Sequence, residues 1–122
     1  MKKIFVKQIQ IILLQSIEAS FKADLYQSYK EEFKESRDFF SINQPNYEMF
    51  LKDLRESLKV ILNNTSKIEL LKFFPQEDLA PAISNEELIP YFILLWSSFF
   101  SDENWIDEYY QEVSFEMDDK EF

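Results

Sequence analysis

The chain of 122 residues contains no glycine, no histidine and no cysteine, and only four prolines. At an average usage near ~7%, a chain of this length would hold roughly eight or nine glycines. Tight primed hairpins, phosphate-cradling loops and dinucleotide fingerprints all place glycine at positive φ, so none of them is expected. The lack of histidine and cysteine excludes serine–histidine and cysteine–histidine nucleophiles, zinc sites of the usual kinds, disulfides and thiol redox chemistry. No catalytic group, metal or cofactor is therefore expected, and the expected setting is a reducing cytoplasm. A long apolar run is also missing. The most apolar stretch, residues 90–100 (PYFILLWSSFF), covers eleven positions, well short of the ~20 needed to cross a bilayer. Lys7, Gln8 and Gln10 interrupt the apolar residues that follow Lys2 and Lys3, so a secretory signal is not expected.

What is present is aromatic and acidic. Thirteen Phe, six Tyr and two Trp make up 17% of the chain, within a hydrophobic content of 46%. That composition predicts one packed domain over residues 1–122 rather than disorder. The net charge of −10 is unevenly placed. Residues 1–30 carry five basic and two acidic side chains, whereas residues 91–122 carry nine acids and Lys120 alone. Such a field repels nucleic acid and anionic lipid and attracts a cationic partner.

Helical periodicity dominates. Ile9, Leu13, Ile17, Phe21, Leu25, Tyr29 and Phe33 recur every fourth residue, a stripe that drifts slowly round a helix. One helix reaching Phe40 would be about 55 Å long, too long for a compact domain of this size. A break is expected at residues 19–24, with Ser20 as a candidate cap. The β-branched opening (Ile4, Val6, Ile9, Ile11, Ile12) fits a helix or a strand. Residues 41–46 read as a loop, after which Pro45 opens an amphipathic helix carrying Tyr47, Phe50, Leu51, Leu54, Leu58, Ile61 and Leu62 on one face. Asn63-Asn64 is expected to end it in a left-handed turn.

Ser66 and Glu69, then Ser84 and Glu87, have the spacing of capping boxes. A helical turn is expected within residues 76–79. Pro90 predicts a kink or the first turn of a new helix. Residues 90–100 are apolar on nearly every side, which places them at the centre of the domain. Ser101 is the candidate cap of a last helix, with Asp102 and Glu103 in its first turn and Trp105, Ile106, Tyr109, Tyr110 and Val113 on its apolar face. Residues 114–122 read as a frayed acidic tail. The expected fold is all-α, a single domain of about five to seven helices around the central segment 90–100.

Three surfaces carry chemistry worth weighing. The first interleaves Glu103, Asp107, Glu108 and Glu112 with Trp105, Tyr109 and Tyr110. Large amphipathic rings among carboxylates suit contact with a basic protein, although an ordinary surface helix with its rings inward has the same spacing. The second is the run Glu31-Glu32-Phe33-Lys34-Glu35. It resembles the metal-binding motif of all-α nucleoside triphosphate pyrophosphatases, whose second acidic pair would here have to be Asp53 and Glu56 in reversed order. Lys30, Lys34 and Arg37 make the same acids ordinary surface pairs. The third, Lys2, Lys3 and Lys7 beside Ile4, Phe5, Ile11 and Ile12, fits a membrane-surface helix. It fits equally an internal ionic complement to the acidic end, and no membrane partner is expected.

A small, acidic, aromatic helical chain without catalytic side chains is similar in kind to bacterial immunity proteins, those of contact-dependent growth inhibition and of nuclease colicins. The likeness is carried by Asp107-Glu108-Tyr109-Tyr110, which resembles the tyrosine pair that follows acidic residues in the colicin-nuclease group. It is one of class, confined to those residues. It implies a non-catalytic inhibitor, monomeric or weakly dimeric, whose Tyr109 and Tyr110 anchor a basic toxin domain while Glu103, Trp105, Asp107, Glu108 and Glu112 surround them. A helical regulatory subunit and a nucleic-acid mimic are the alternative expectations.

Overall fold

The computed structural model describes residues 1–101 and 103–121. Its architecture is all-α: among the described residues there are five helices, of which the first four carry most of the core, with three short 3-10 turns and two four-residue strands. Strand β1 (Lys2–Phe5) leads directly into α1 (Val6–Gln15), so the β-branched opening is both a strand and a helix. The expected break follows. A 3-10 turn covers Ile17–Phe21, and α2 (Leu25–Asn43) is capped by Asp24, whose carboxylate accepts from Gln27 N–H at 3.1 Å. Ser20 does not cap it; its hydroxyl is held by Tyr29 and the Leu79 carbonyl.

The loop after α2 is shorter than expected, because helix continues to Asn43. Helix α3 (Tyr47–Asn63) then starts from Asn46, which adopts φ 53° and accepts from Met49 N–H. With no glycine to supply positive φ, asparagine is the residue that tolerates it best. The amphipathic reading of α3 holds: Phe50, Leu54, Leu58 and Ile61 are buried along one face. Asn64 ends the helix at φ −137°, not left-handed. The Ser66–Glu69 capping box does not form. Leu70 N–H, at the head of a 3-10 turn Leu70–Phe73, is instead bound by Asn85 Oδ1 at 2.8 Å. A further 3-10 turn, Glu77–Leu79, falls where one turn of helix was expected.

Ser84 does cap α4 (Asn85–Phe100), accepting from Glu87 N–H at 3.2 Å. Pro90 neither starts nor divides this helix. Its missing N–H removes the usual helical partner of the Glu86 carbonyl, at a point where Glu86 and Pro90 are both exposed and the helix runs along the surface. From Phe92 onward α4 sinks into the core between α2 and α3, burying Phe92, Leu94, Leu95, Trp96 and Phe100. Phe73 and Phe74 meet the Phe92 ring edge-on at 5.9 and 6.3 Å.

The C-terminal part departs most from expectation. Ser101 closes α4 at φ 49°, its N–H bound to Ser97, and caps no further helix; Asp102 lies outside the described residues. Residues 103–107 form no regular secondary structure, and α5 (Glu108–Glu112) is a single short helix capped by Asp107. The expected frayed tail is a strand. β2 (Phe115–Asp118) pairs in parallel with β1, Lys2 opposite Phe115 and Phe5 opposite Asp118. Phe122 lies outside the described residues.

Candidate functional site

The site is built on α3, against which β1 and the segment 103–113 both pack. β1 is fixed there by Phe5 N–H donating to Ser57 Oγ at 2.9 Å and by Gln8 Nε2 donating to the Phe50 carbonyl at 2.7 Å. The segment is fixed by two neighbouring amides at the end of α3. Asn63 donates to the Trp105 carbonyl at 2.8 Å and accepts from Asp107 N–H at 3.2 Å. Asn64, itself buried, donates to the Tyr110 carbonyl at 2.9 Å. From the core side, Trp96 Nε1 donates to the Glu103 carbonyl at 2.7 Å.

These ties divide the expected binding residues into two groups. Trp105 and Tyr110 turn inward and pack against the core. The Tyr110 hydroxyl donates to Glu56 at 2.7 Å, and Lys2 and Lys59 ammonium groups stand 5.3 and 5.2 Å from its ring centre. Burial and the bond to Glu56 push that hydroxyl well above the usual tyrosine range, so it stays a donor. Glu103 is held by Arg55 through two nitrogens at 3.0 and 3.3 Å, and Asp107 by Lys59 at 3.6 Å. Four of the seven residues therefore serve first to dock the segment onto α3.

The others face outward. Tyr109 is 61% exposed, and its neighbour Ile106 is 57% exposed. The Tyr109 ring stands edge-on to Tyr110 at 5.6 Å, with Lys2 5.4 Å from its centre. Glu108 and Glu112 are exposed and carry no ion pair among the described residues. The surface thus presents one supported ring, one aliphatic side chain and two uncompensated carboxylates. Beside it lies an open groove of ≈450 Å³, where Lys3, Lys52, Arg55 and Lys59 meet Asp53 and Glu56.

That groove, and the roles of Lys2, Glu56, Lys59, Asn63 and Asn64, were not foreseen. Lys59 was recognisable as a polar position of an amphipathic helix and Glu56 as half of a candidate acidic pair, and nothing local pairs them with partners about fifty residues away. The basic N-terminus, by contrast, does complement the acidic end: Lys3 pairs with Asp118 at 3.4 Å and Lys7 with Glu121 at 3.7 Å.

Neither acid that would complete the run Glu31, Glu32 and Glu35 is free to do so. Asp53 is paired with Lys120 and Glu56 with Lys2. Among the described residues no group of three or more His, Cys, Asp or Glu could hold a metal ion. Partial burial, with repulsion from Glu35 and Glu18, raises the Glu32 carboxyl above its ordinary value. A raised folded value means that the folded chain binds this proton more tightly than the unfolded one. The residue's contribution then declines as pH rises from the unfolded value through the raised one. Glu32→Gln is expected to melt higher than the parent at pH 7, and the advantage should vanish in melts below about pH 4. Equal melting at both pH values would contradict this.

No helix is long and apolar enough to cross a membrane among the described residues. Compared with known proteins, the chain matches no family model, no curated protein and no solved structure.

Proposed function

We propose that this protein is a non-catalytic inhibitor that binds a basic partner, a bacterial toxin domain with nuclease activity, and blocks it by occlusion in the cytoplasm. The observation that carries the proposal is the outward face of the docked segment. Tyr109 and Ile106 are exposed there on a scaffold fixed by Asn63, Asn64 and Trp96, with Glu108 and Glu112 unpaired beside them. An aromatic side chain held in place before contact loses little entropy on binding, and uncompensated carboxylates steer a cationic surface toward it. Tyr109 is the anchor in this proposal, and Tyr110 supports it from beneath.

The test is capture of a partner from the protein's own cells, followed by stopped-flow mixing with the purified pair. Tyr109→Ala should weaken binding about tenfold, mainly through faster dissociation. Glu108→Gln with Glu112→Gln should slow association at low salt, and the difference should fade as salt is added. A partner that is acidic, or whose affinity neither set of substitutions changes, would defeat the proposal.

A further inference from the structure

Among the described residues, strand β2 has a partner on one side only. Lys2 donates its N–H to the Ser114 carbonyl at 2.9 Å and stands in register with Phe115. The alternation of a parallel ladder therefore turns the main-chain groups of Glu116 and Asp118 toward β1, and those of Phe115 and Met117 away from it. The far edge of β1 is covered, since Phe5 N–H reaches Ser57 on α3. Among the described residues, no main-chain hydrogen bond reaches the outward groups of Phe115 or Met117.

The side chains around this edge differ between its two faces. On one, Met117, 49% exposed, forms a wall of an open groove of ≈370 Å³ with Val6, Ile68 and Phe73, and the charges at its rim, two lysines and two acids, balance. On the other, Glu116 is exposed and without an ion pair among the described residues. A strand added here would share those faces: its apolar residues would lie over the groove and its cationic residues beside Glu116.

We propose that the outer edge of β2 accepts an extended segment of the basic partner as a third strand, one that alternates apolar and basic residues. Main-chain pairing supplies affinity in such additions and the alternate side chains supply selectivity. A second copy of this chain is the poorer occupant. Pairing β2 with itself would bring Glu116 and Asp118 of both copies together at the edge of a chain of net charge −10, and like charges across strands destabilise. The inference rests on the basic-partner reading above, but its test needs no toxin.

The probe is a synthetic nine-residue peptide alternating valine and lysine, titrated into the isotopically labelled full chain. Amide shifts should concentrate at residues 114–119, Val6 and Phe73, and exchange of the Met117 N–H should slow. The same peptide methylated at every amide nitrogen, and an all-lysine peptide, should each bind at least tenfold more weakly. Met117→Pro removes one outward N–H at a position where an edge strand tolerates proline. It should also cost tenfold or more, while Met117→Leu stays within twofold, both variants keeping the parent's circular dichroism. The methylated peptide tests the unmodified protein, so a folding defect in Met117→Pro leaves the proposal open to refutation. Equal affinity of the methylated peptide, no shifts at β2 at millimolar peptide, or self-association that Met117→Pro abolishes would each overturn it. Peptide binding at β2 combined with an acidic captured partner would sink the toxin reading and leave the edge standing.

Discussion

Replacing Trp96 with alanine should destabilise the protein by about 3–5 kcal/mol, in the range found when large aromatic side chains are removed from cores. Trp96 is 1% exposed and its ring lies 4.6 Å from Phe100. Truncation would remove that apolar contact and leave a cavity in the core that packed helices collapse into only partly. The indole also donates to the Glu103 carbonyl at 2.7 Å, so the same substitution cuts one tether of the site. Trp96→Phe separates the two effects. It keeps most of the ring and loses the donor, for an expected cost of about 1–2 kcal/mol. Denaturant unfolding of the three proteins measures this, and a loss below about 1 kcal/mol in Trp96→Ala would contradict the assignment of α4 as the central helix.

The second large effect is expected at the asparagine pair. Asn64 is buried, with its amide donating to the Val60 and Tyr110 carbonyls at 2.8 and 2.9 Å. Asn64→Ala removes both bonds and leaves those acceptors short of partners, a cost of about 1–3 kcal/mol. Asn63→Ala removes the contacts to Trp105 and Asp107. Because both amides hold one segment, the double variant should lose less than the sum of the singles, as coupled neighbours do. Hydrogen exchange gives the sharper readout. Amides at residues 105–113 should exchange faster in either variant, while those of α2 and the buried half of α4 stay protected. Uniform loss of protection would mean that the pair supports the whole domain rather than this segment.

The helices were legible where their signals are local. The apolar face of α3 from Phe50 to Leu62 follows from spacing alone, and Ser84 with Glu87 marks the start of α4 because a cap is made within one turn. Pro90 misled for a related reason. A proline's penalty depends on whether the freed carbonyl meets water or core, and exposure of Glu86 is decided by tertiary packing. The capping spacing of Ser66 and Glu69 was outcompeted by Asn85, which donates to the Thr65 and Ile68 carbonyls and accepts from Leu70.

The candidate site was half legible. Acidic residues alternating with rings over residues 103–112 marked the region, and Tyr109, Glu108 and Glu112 are displayed on its surface. Which of the rings would turn inward was not legible, because that depends on Lys2, Glu56 and Lys59 arriving from other elements. The strand at residues 115–118 was invisible for the same reason. Phe115-Glu116-Met117-Asp118 does alternate, but over four residues alone, and its pairing partner among the described residues is β1, more than a hundred residues away.

That last pairing sets an order of assembly. β1 and β2 lie roughly 110 residues apart in the chain, and contacts that close so long a loop form late unless intervening structure has already shortened it. The helices α1 to α4 carry most of the buried apolar side chains, and β2 adds the partly buried Phe115 at their edge. Lys2 of β1 finds its carboxylate, Glu56, on α3, whereas Lys3 gains Asp118 only when β2 pairs. The segment that displays Tyr109 docks through Asn63, Asn64 and Trp96, which α3 and α4 hold in place, so its surface is expected to form on a core assembled before it.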